Sequence, residues 1–259
     1  MKTDYFYQLE RFLRSYSEAP SKCNSSSVLL ASFPKSGNSW FRFLVSNVNS
    51  IISSGEDVDF HSIERYSPVI RGNRNLKDMV LVDGAPTFLK THFPHTCFFE
   101  KYKGVVIVRN PFFVIPSYYD YLINARGKDF KGDIEDFFYH WRYGFNAWGN
   151  FMESWGDRAD VLLRYEDLQN DPLSNVSAMY RELGYCIDED VIRLAVSKSS
   201  RSNMLQSLNK SGDPHNNNNF RFVKKKGENI GVELLKDSIC NDSKINNSFL
   251  QQAEKYGYL

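Results

Sequence analysis

Residues 28–52 read VLLASFPKSGNSWFRFLVSNVNSII, and the order of features within them sets the architecture. Val28 to Phe33 is an apolar run of strand length, and Pro34 and Gly37 mark a tight loop. Trp40, Phe43, Leu44, Val48, Ile51 and Ile52 then recur at helical spacing. The unit is a buried strand, a loop and a helix in succession. Such a loop aims unpaired backbone N–H groups at one point, where the helix dipole adds positive potential. Gly37 allows close approach of a ligand to the backbone, while Lys35, Ser36, Asn38 and Ser39 add a charge and polar donors. An ordinary strand-to-helix turn would need the Pro and the Gly but not this density of donors. The loop is not of the Walker type, since GxxxxGKS/T puts lysine directly after the second glycine and here Lys35 precedes Gly37. Hydrolysis of ATP or GTP is therefore disfavoured.

Working outward, a second buried strand is expected at 105–108 (VVIV), followed by Asn110-Pro111 and a helical run, and a third at 161–165 (VLLRY). Short apolar strands alternating with helices predict an α/β fold, a central parallel sheet with helices on both faces. The segment EDFFYHWRYGFNAWGNFMESW carries Phe137, Trp141, Phe145, Trp148, Phe151, Met152 and Trp155 near one helical stripe, which predicts a core-facing helix. Pro172 opens a helix that Gly184 closes, and Asp188 caps the next. Near the N-terminus Tyr5, Phe6, Leu9, Phe12 and Leu13 have helical spacing, and SGDPHNNNN (211–219) reads as a mobile loop. No repeat and no linker divide the 259 residues, so a single domain is expected over 1–259.

Composition narrows the function. Hydrophobic residues are 42% and charged residues 24%, an ordinary globular balance. A net charge of +1 lacks the basic excess of a nucleic-acid or membrane-surface binder, so any bound anion is held by local residues. The four cysteines (Cys23, Cys97, Cys186, Cys240) form no CxxC pair, and neither a zinc site nor a disulfide framework is expected. With no signal-like N-terminus and no apolar run of spanning length, a reducing, cytoplasmic location is expected.

Five elements then share an order. PKSGNSW (34–40) closely resembles the phosphosulfate-binding loop PKSGTTW of the cytosolic-type sulfotransferases. RNPFFVIPS (109–117) matches the family's RNPxxxxxS, with Ser117 at the family spacing from Arg109. LKTHFP (89–94) matches its KTH segment and RYEDLQNDP (164–172) its YED segment, and FVKKKGENIG (222–231) is similar to its RKGxxG loop. The resemblance covers roughly residues 28 to 231. It implies binding of 3′-phosphoadenosine 5′-phosphosulfate (PAPS) and transfer of its sulfuryl group to an acceptor hydroxyl, or less favourably an amine, without a metal. Within the family's pattern Lys35, Ser36, Gly37, Asn38, Ser39 and Trp40 hold the 5′ end of the nucleotide. Arg109 and Ser117 hold the 3′-phosphate, Lys225, Lys226 and Gly227 close over that phosphate, and Tyr165 lies beside the adenine.

The chemistry agrees with these roles. PAPS needs two anion sites separated by a nucleoside, and a guanidinium suits a phosphate held in fixed orientation because its planar fork binds bidentately. Sulfuryl transfer needs in-line geometry, charge stabilisation on the leaving oxygen and a base for the acceptor proton. Of the five histidines, His92 alone lies in a matching segment, and the resemblance makes it the base. Lys35 would stabilise charge on the leaving nucleotide. Lys90 would polarise the sulfuryl oxygens or position the acceptor. Glu166 and Asp167 read as structural hydrogen-bonding partners.

The chain departs from the pattern in places. Asn38 replaces a threonine, and KKGENIG has an extra residue between its glycines, no following tryptophan, and Lys225 where arginine is preferred. The animal dimer signature KxxxTVxxxE is absent, so the oligomeric state is open. The acceptor, a small molecule or a glycan, is expected to meet Phe33, Phe60, Tyr66 and Phe93, from segment 58–75, the mobile loop 205–220 and the stretch after His92. Alternatives are a nucleotide or small-molecule kinase, against which the missing GKS/T argues, and a non-catalytic binder of 3′-phosphoadenosine nucleotides, against which Lys35 and His92 argue.

Overall fold

The computed structural model describes residues 26–70, 79–125, 130–211 and 236–259. In chain order the elements are β1 (Ser27–Ser32), α1 (Asn38–Ser53), α2 (Ile63–Tyr66), β2 (Thr87–Thr91), β3 (Lys103–Val108) and α3 (Pro111–Asp120), which runs into a π turn at Tyr121–Ala125. There follow α4 (Ile134–Phe138), α5 (Phe145–Trp155), β4 (Val161–Arg164), α6 (Tyr165–Asn170), α7 (Pro172–Glu182), α8 (Glu189–Lys198), α9 (Arg201–Ser211), α10 (Lys236–Cys240) and α11 (Asn247–Lys255). The expected N-terminal helix, the Asn-rich run, and Lys225, Lys226 and Gly227 lie outside the described residues.

The four strands are parallel in the order β2-β1-β3-β4. Side chains alternate faces along each strand. Leu29, Ala31, Leu89, Val106 and Val108 join α3, α5 and α11 on one side. Val28, Leu30, Phe88, Val105, Ile107, Val161 and Leu163 join α1, α7 and α8 on the other. The sheet is thus covered on both faces, which is why its strands read as apolar runs rather than alternating ones. From β1 the chain moves to β2 on one side and returns to β3 on the other. That reversal opens a crevice beyond the carboxyl ends of β1 and β3, where open α/β sheets bind ligands.

Local chemistry sets several element ends as expected. Asn110 Oδ1 accepts from the Phe112 N–H at 2.9 Å and Pro111 is the first residue of α3. Asp188 Oδ1 accepts from the Asp190 N–H at 2.7 Å at the start of α8. Gly184, at φ 84, follows the end of α7.

Three expectations are corrected. The aromatic stretch is not one helix: α4 and α5 are separated by a turn over residues 139–144. A Cβ at Gly144 would lie 2.1 Å from the Phe138 carbonyl oxygen, so the glycine permits the chain to fold back on α4. Trp141 falls in this turn and is 56% exposed instead of buried. Ile52, expected on the buried face of α1, is 37% exposed, while Phe41 and Val45 fill the core. Finally, residues 205–211, expected in a loop, complete α9.

Candidate active site

The loop after β1 is the centre of the crevice. Gly37 stands at φ 89, ψ 6 in the left-handed region at the start of α1, and among the described residues no side chain caps the helix. The first N–H groups of this 16-residue helix are therefore not spent on a capping side chain. Lys35 also has a positive φ, 71°, a conformation costing a non-glycine residue about 1–2 kcal/mol. Strain of this kind persists only where the surroundings impose it, and it gathers at ligand clamps. A Cβ on Gly37 would fall 2.3 Å from Cδ2 and Cε2 of Tyr165, so the position excludes any other residue on two counts. The Ser36 Oγ is buried and has no hydrogen-bond partner among the described residues, and the same is true of Asn38 Oδ1. A buried hydroxyl in an anion-shaped loop without a protein partner fits a ligand oxygen. The residues present therefore suit a nucleotide phosphate.

The neighbouring strand ends supply the rest. The Arg109 Nη1 donates to the Lys35 carbonyl at 3.0 Å, and the guanidinium lies 4.3 Å from the centre of the Tyr165 ring. Arg109 thus links β3 both to the loop and to the first residue after β4. Tyr165 meets Trp40 edge to face at 6.2 Å, and the Trp40 Nε1 donates to the Ser199 carbonyl at 3.0 Å. The Lys35 Nζ lies 4.6 Å from the centre of the Tyr121 ring. Ser117, the seventh residue of α3, is buried at 6% exposure.

On the other side of β1, Thr91 ends β2, and the next residue, His92, turns back over the loop. Its Nδ1 lies 2.7 Å from the Ser32 carbonyl oxygen. A carbonyl only accepts, so Nδ1 carries the proton and Nε2 of the neutral ring carries the lone pair. Lys90 is held by its backbone, donating to the Pro68 carbonyl and accepting from the Ile70 N–H, both at 2.8 Å. This bridge carries the sheet on to residue 69 and steadies the approach to His92.

The structure thus brings Phe33, Lys35, Ser36, Gly37, Trp40, His92, Arg109 and Tyr165 around adjoining strand ends. It does not bring Phe60 and Tyr66 there. Both are buried in a separate cluster with Phe43, Val58, Ile63 and Met204 against α1, and the Phe43 and Phe60 rings are 5.4 Å apart. Phe33 and Phe93 instead share the cluster of α3, α4 and α5. The aromatic residues beside Phe33 are ones the motifs did not mark. Phe33 meets Tyr118 edge to face at 5.9 Å, and Tyr118 meets Tyr143 at 5.4 Å. The available signal was adjacency, because Tyr118 directly follows Ser117. Among the described residues no group of three His, Cys, Asp or Glu side chains is arranged to hold a metal ion. Among them too, no helix is long and apolar enough to cross a membrane.

The sulfotransferase domain family model matches residues 25–229, and the chain belongs to that family. It is 27% identical to human and mouse sulfotransferase 4A1 over 179 residues, which is 63% of this chain and 62% of theirs. The chain therefore spans about three-fifths of the length of these relatives. Rat sulfotransferase 2A1 is 25% identical over 243 residues, 88% of this chain and 81% of that one. Among solved structures, mouse sulfotransferase SULT7A1 complexed with PAP superposes with a TM-score of 0.63 at 17% identity, covering 95% of this chain and 94% of that one. A retinol dehydratase in complex with androsterone and the inactive cofactor PAP gives 0.62 at 15% identity, covering 95% and 84%. The likeness in fold extends across nearly the whole chain.

Proposed function

We propose that this chain transfers a sulfuryl group from PAPS to a hydroxyl of a small-molecule or glycan acceptor, with His92 as general base. The observation that carries the reading is the bond from the His92 Nδ1 to the Ser32 carbonyl. It fixes the tautomer that leaves a basic Nε2 and anchors the ring on the strand that feeds the Lys35–Gly37 loop. PAPS bound at this loop supplies an activated sulfuryl group. The α1 N–H groups and the Ser36 hydroxyl hold its 5′-phosphate, and Arg109 with Ser117 holds the 3′-phosphate. Trp40 and Tyr165 border the nucleoside. The Lys35 ammonium offsets charge as it builds on the leaving oxygen, an electrostatic contribution that acts in the transition state. His92 accepts the acceptor's proton, and Lys90 stands two residues before it to orient the acceptor or the sulfuryl oxygens.

For the acceptor, the aromatic wall of Phe33, Tyr118 and Tyr143 supports a molecule that presents a flat or apolar face beside its hydroxyl. Phe93 belongs to the same side, and Phe60 and Tyr66 act as packing residues behind α1. A cytoplasmic setting suits the thiols of Cys97, Cys186 and Cys240, which are unbridged.

Substitution of His92 tests the base. With labelled PAPS and an acceptor found by screening, His92→Ala should lower kcat about 10²–10⁴-fold, the usual worth of a positioned general base. Its affinity for 3′-phosphoadenosine 5′-phosphate (PAP) should stay within a few-fold of wild type. Transfer within a few-fold of wild type would remove His92 from the mechanism.

A further inference from the structure

The tie that holds Arg109 in place comes from a residue near the end of the chain. Beyond the last β3–β4 pair, Val108 with Arg164, the two strand ends separate and carry Arg109 and Tyr165 into the crevice. One carboxylate spans them. Glu166, directly after Tyr165, accepts at Oε1 from the backbone N–H of Asn110, directly after Arg109, at 3.0 Å. Asn110 in turn caps α3 through its side chain. The other carboxylate oxygen, Oε2, accepts from the Tyr258 hydroxyl at 2.9 Å.

Tyr258 is delivered to this point by the way α11 ends. The Gly257 N–H bonds the Glu254 carbonyl, the Tyr258 N–H bonds the Ala253 carbonyl, and Gly257 stands at φ 72, a glycine-closed helix end that turns the chain inward. The ring is then buried at 5% exposure, edge to face with Trp148 at 6.3 Å and beneath the Arg164 guanidinium at 5.2 Å. Burial, reinforced by the Glu166 carboxylate, pushes the hydroxyl far above its ordinary value, so it remains a donor at neutral pH.

We infer that Glu166, oriented by Tyr258, is a positioning residue for the nucleotide site: it fixes the Asn110 backbone so that the Arg109 guanidinium stays between the Lys35 carbonyl and the Tyr165 ring. The inference rests on the assignment of Arg109 to the 3′-phosphate. Its consequence is selective. Loosening the tie should weaken ligands that carry a 3′-phosphate more than ligands that lack one, whereas a purely structural tie would weaken both alike.

Calorimetric titration of the full chain with PAP and with AMP measures that difference. Arg109→Ala should abolish most of the preference for PAP. Tyr258→Phe keeps the ring and removes one hydrogen bond to a charged group, and should lower the preference about 5-fold, only part of what such a bond is worth because the loss reaches Arg109 through Glu166 and Asn110. Glu166→Ala should lower it further. Glu166→Gln, which can still accept from Asn110 and donate to the Tyr258 oxygen, should recover most of it. Thermal midpoints measured in parallel report folding. The inference is overturned if Arg109→Ala loses the preference while Tyr258→Phe and Glu166→Ala retain it. It is equally overturned if those two variants weaken PAP and AMP to the same degree. If Arg109→Ala itself keeps the preference, the 3′-phosphate assignment fails, and the error then lies in that assignment and not in the tie.

Discussion

Gly37 and Gly149 both stand where a side chain would collide, yet the two regions around them are built on opposite terms. At Gly37 the added Cβ would meet the Tyr165 ring at 2.3 Å, the backbone is left-handed, and the neighbouring Lys35 is strained as well. At Gly149, in the middle of α5, the added Cβ would meet the Phe249 Cα at 2.5 Å, and the backbone there is ordinary helix. The first region holds a buried serine hydroxyl without a hydrogen-bond partner among the described residues. The second is a seam in which Asn246 donates from its backbone to Asn146 and from its side chain to Asn150 across the α5–α11 contact, and Asn246 also caps α11. Local rules are broken where a ligand is to be held and kept where two helices are to be held.

Breaking the first region should give the larger effect. Gly37→Ala forces a Cβ into the left-handed conformation and displaces Tyr165, and with it the surface on which Arg109 rests. Together these should weaken PAP about 10- to 100-fold, the equivalent of one to two steps of tenfold affinity at 1.4 kcal/mol each. The α1 core residues are untouched, so the thermal midpoint without ligand should fall by no more than the ~2–8 °C that the left-handed strain itself costs. A large fall in that midpoint with PAP affinity preserved would reverse the roles assigned to the two glycines.

The contrast also explains what could be read in advance. β1 and β3 were legible because strands buried on both faces appear as unbroken apolar runs, β4 because its VLL run is apolar even though Leu162 is 37% exposed at the sheet edge, and the crevice loop because its glycine, lysine and hydroxyls are contiguous. β2 was not marked as a strand. Thr87–Thr91 is TFLKT, with two apolar residues among five, and its edge is completed by the bridge between Val69 and Lys90. The break between α4 and α5 was hidden because the aromatic residues keep helical spacing through it, whereas Gly144 and the carbonyls it must approach are a tertiary matter. His92 could be named by its motif, but its partner, the Ser32 carbonyl, lies sixty residues away and leaves no pattern. Phe60 and Tyr66 were aromatic and near the right segment, and only packing shows Phe60 against Phe43 and Tyr66 buried in the same cluster.

Breaking the seam should act on stability first. Gly149→Ala drives a methyl into the backbone of α11. Overpacking of this kind costs about 1–3 kcal/mol, or about 2–4 °C in Tm for each kcal/mol in a chain of this size. A Tm lower by several degrees is expected in a thermal melt. Any loss of PAP affinity should not exceed that of Tyr258→Phe, because α11 reaches the crevice through Tyr258. An unchanged Tm would mean that α11 shifts freely, and that the seam is looser than its contacts imply.

The smallest effect belongs to the outer end of the same seam, where it can be told apart by its pH dependence. The Tyr139 hydroxyl, in the turn between α4 and α5, donates at 2.6 Å to Asp242 Oδ2, in the link between α10 and α11. That bond, helped by some burial, pushes Tyr139 from 10.0 up to about 12 and holds Asp242 below its ordinary 3.8. A tyrosine raised in the folded state adds stability that is complete below pH 10.0 and fades as pH rises through about 12. A depressed aspartate adds stability that is complete above 3.8 and fades as pH falls through its lower folded value. The Tm difference between wild type and Tyr139→Phe should therefore be a plateau from about pH 4 to pH 10 that closes on both flanks. On that plateau it should be no more than about 3 °C, as befits a largely exposed pair. Asp242→Asn should remove the acid-side closure, since an asparagine does not titrate, and the double substitution should fall short of the sum of the two single ones. A difference that stayed constant through both flanks would assign the effect of Tyr139 to ring packing beneath Lys244, whose ammonium lies 4.6 Å from the ring centre, and not to the bond with Asp242.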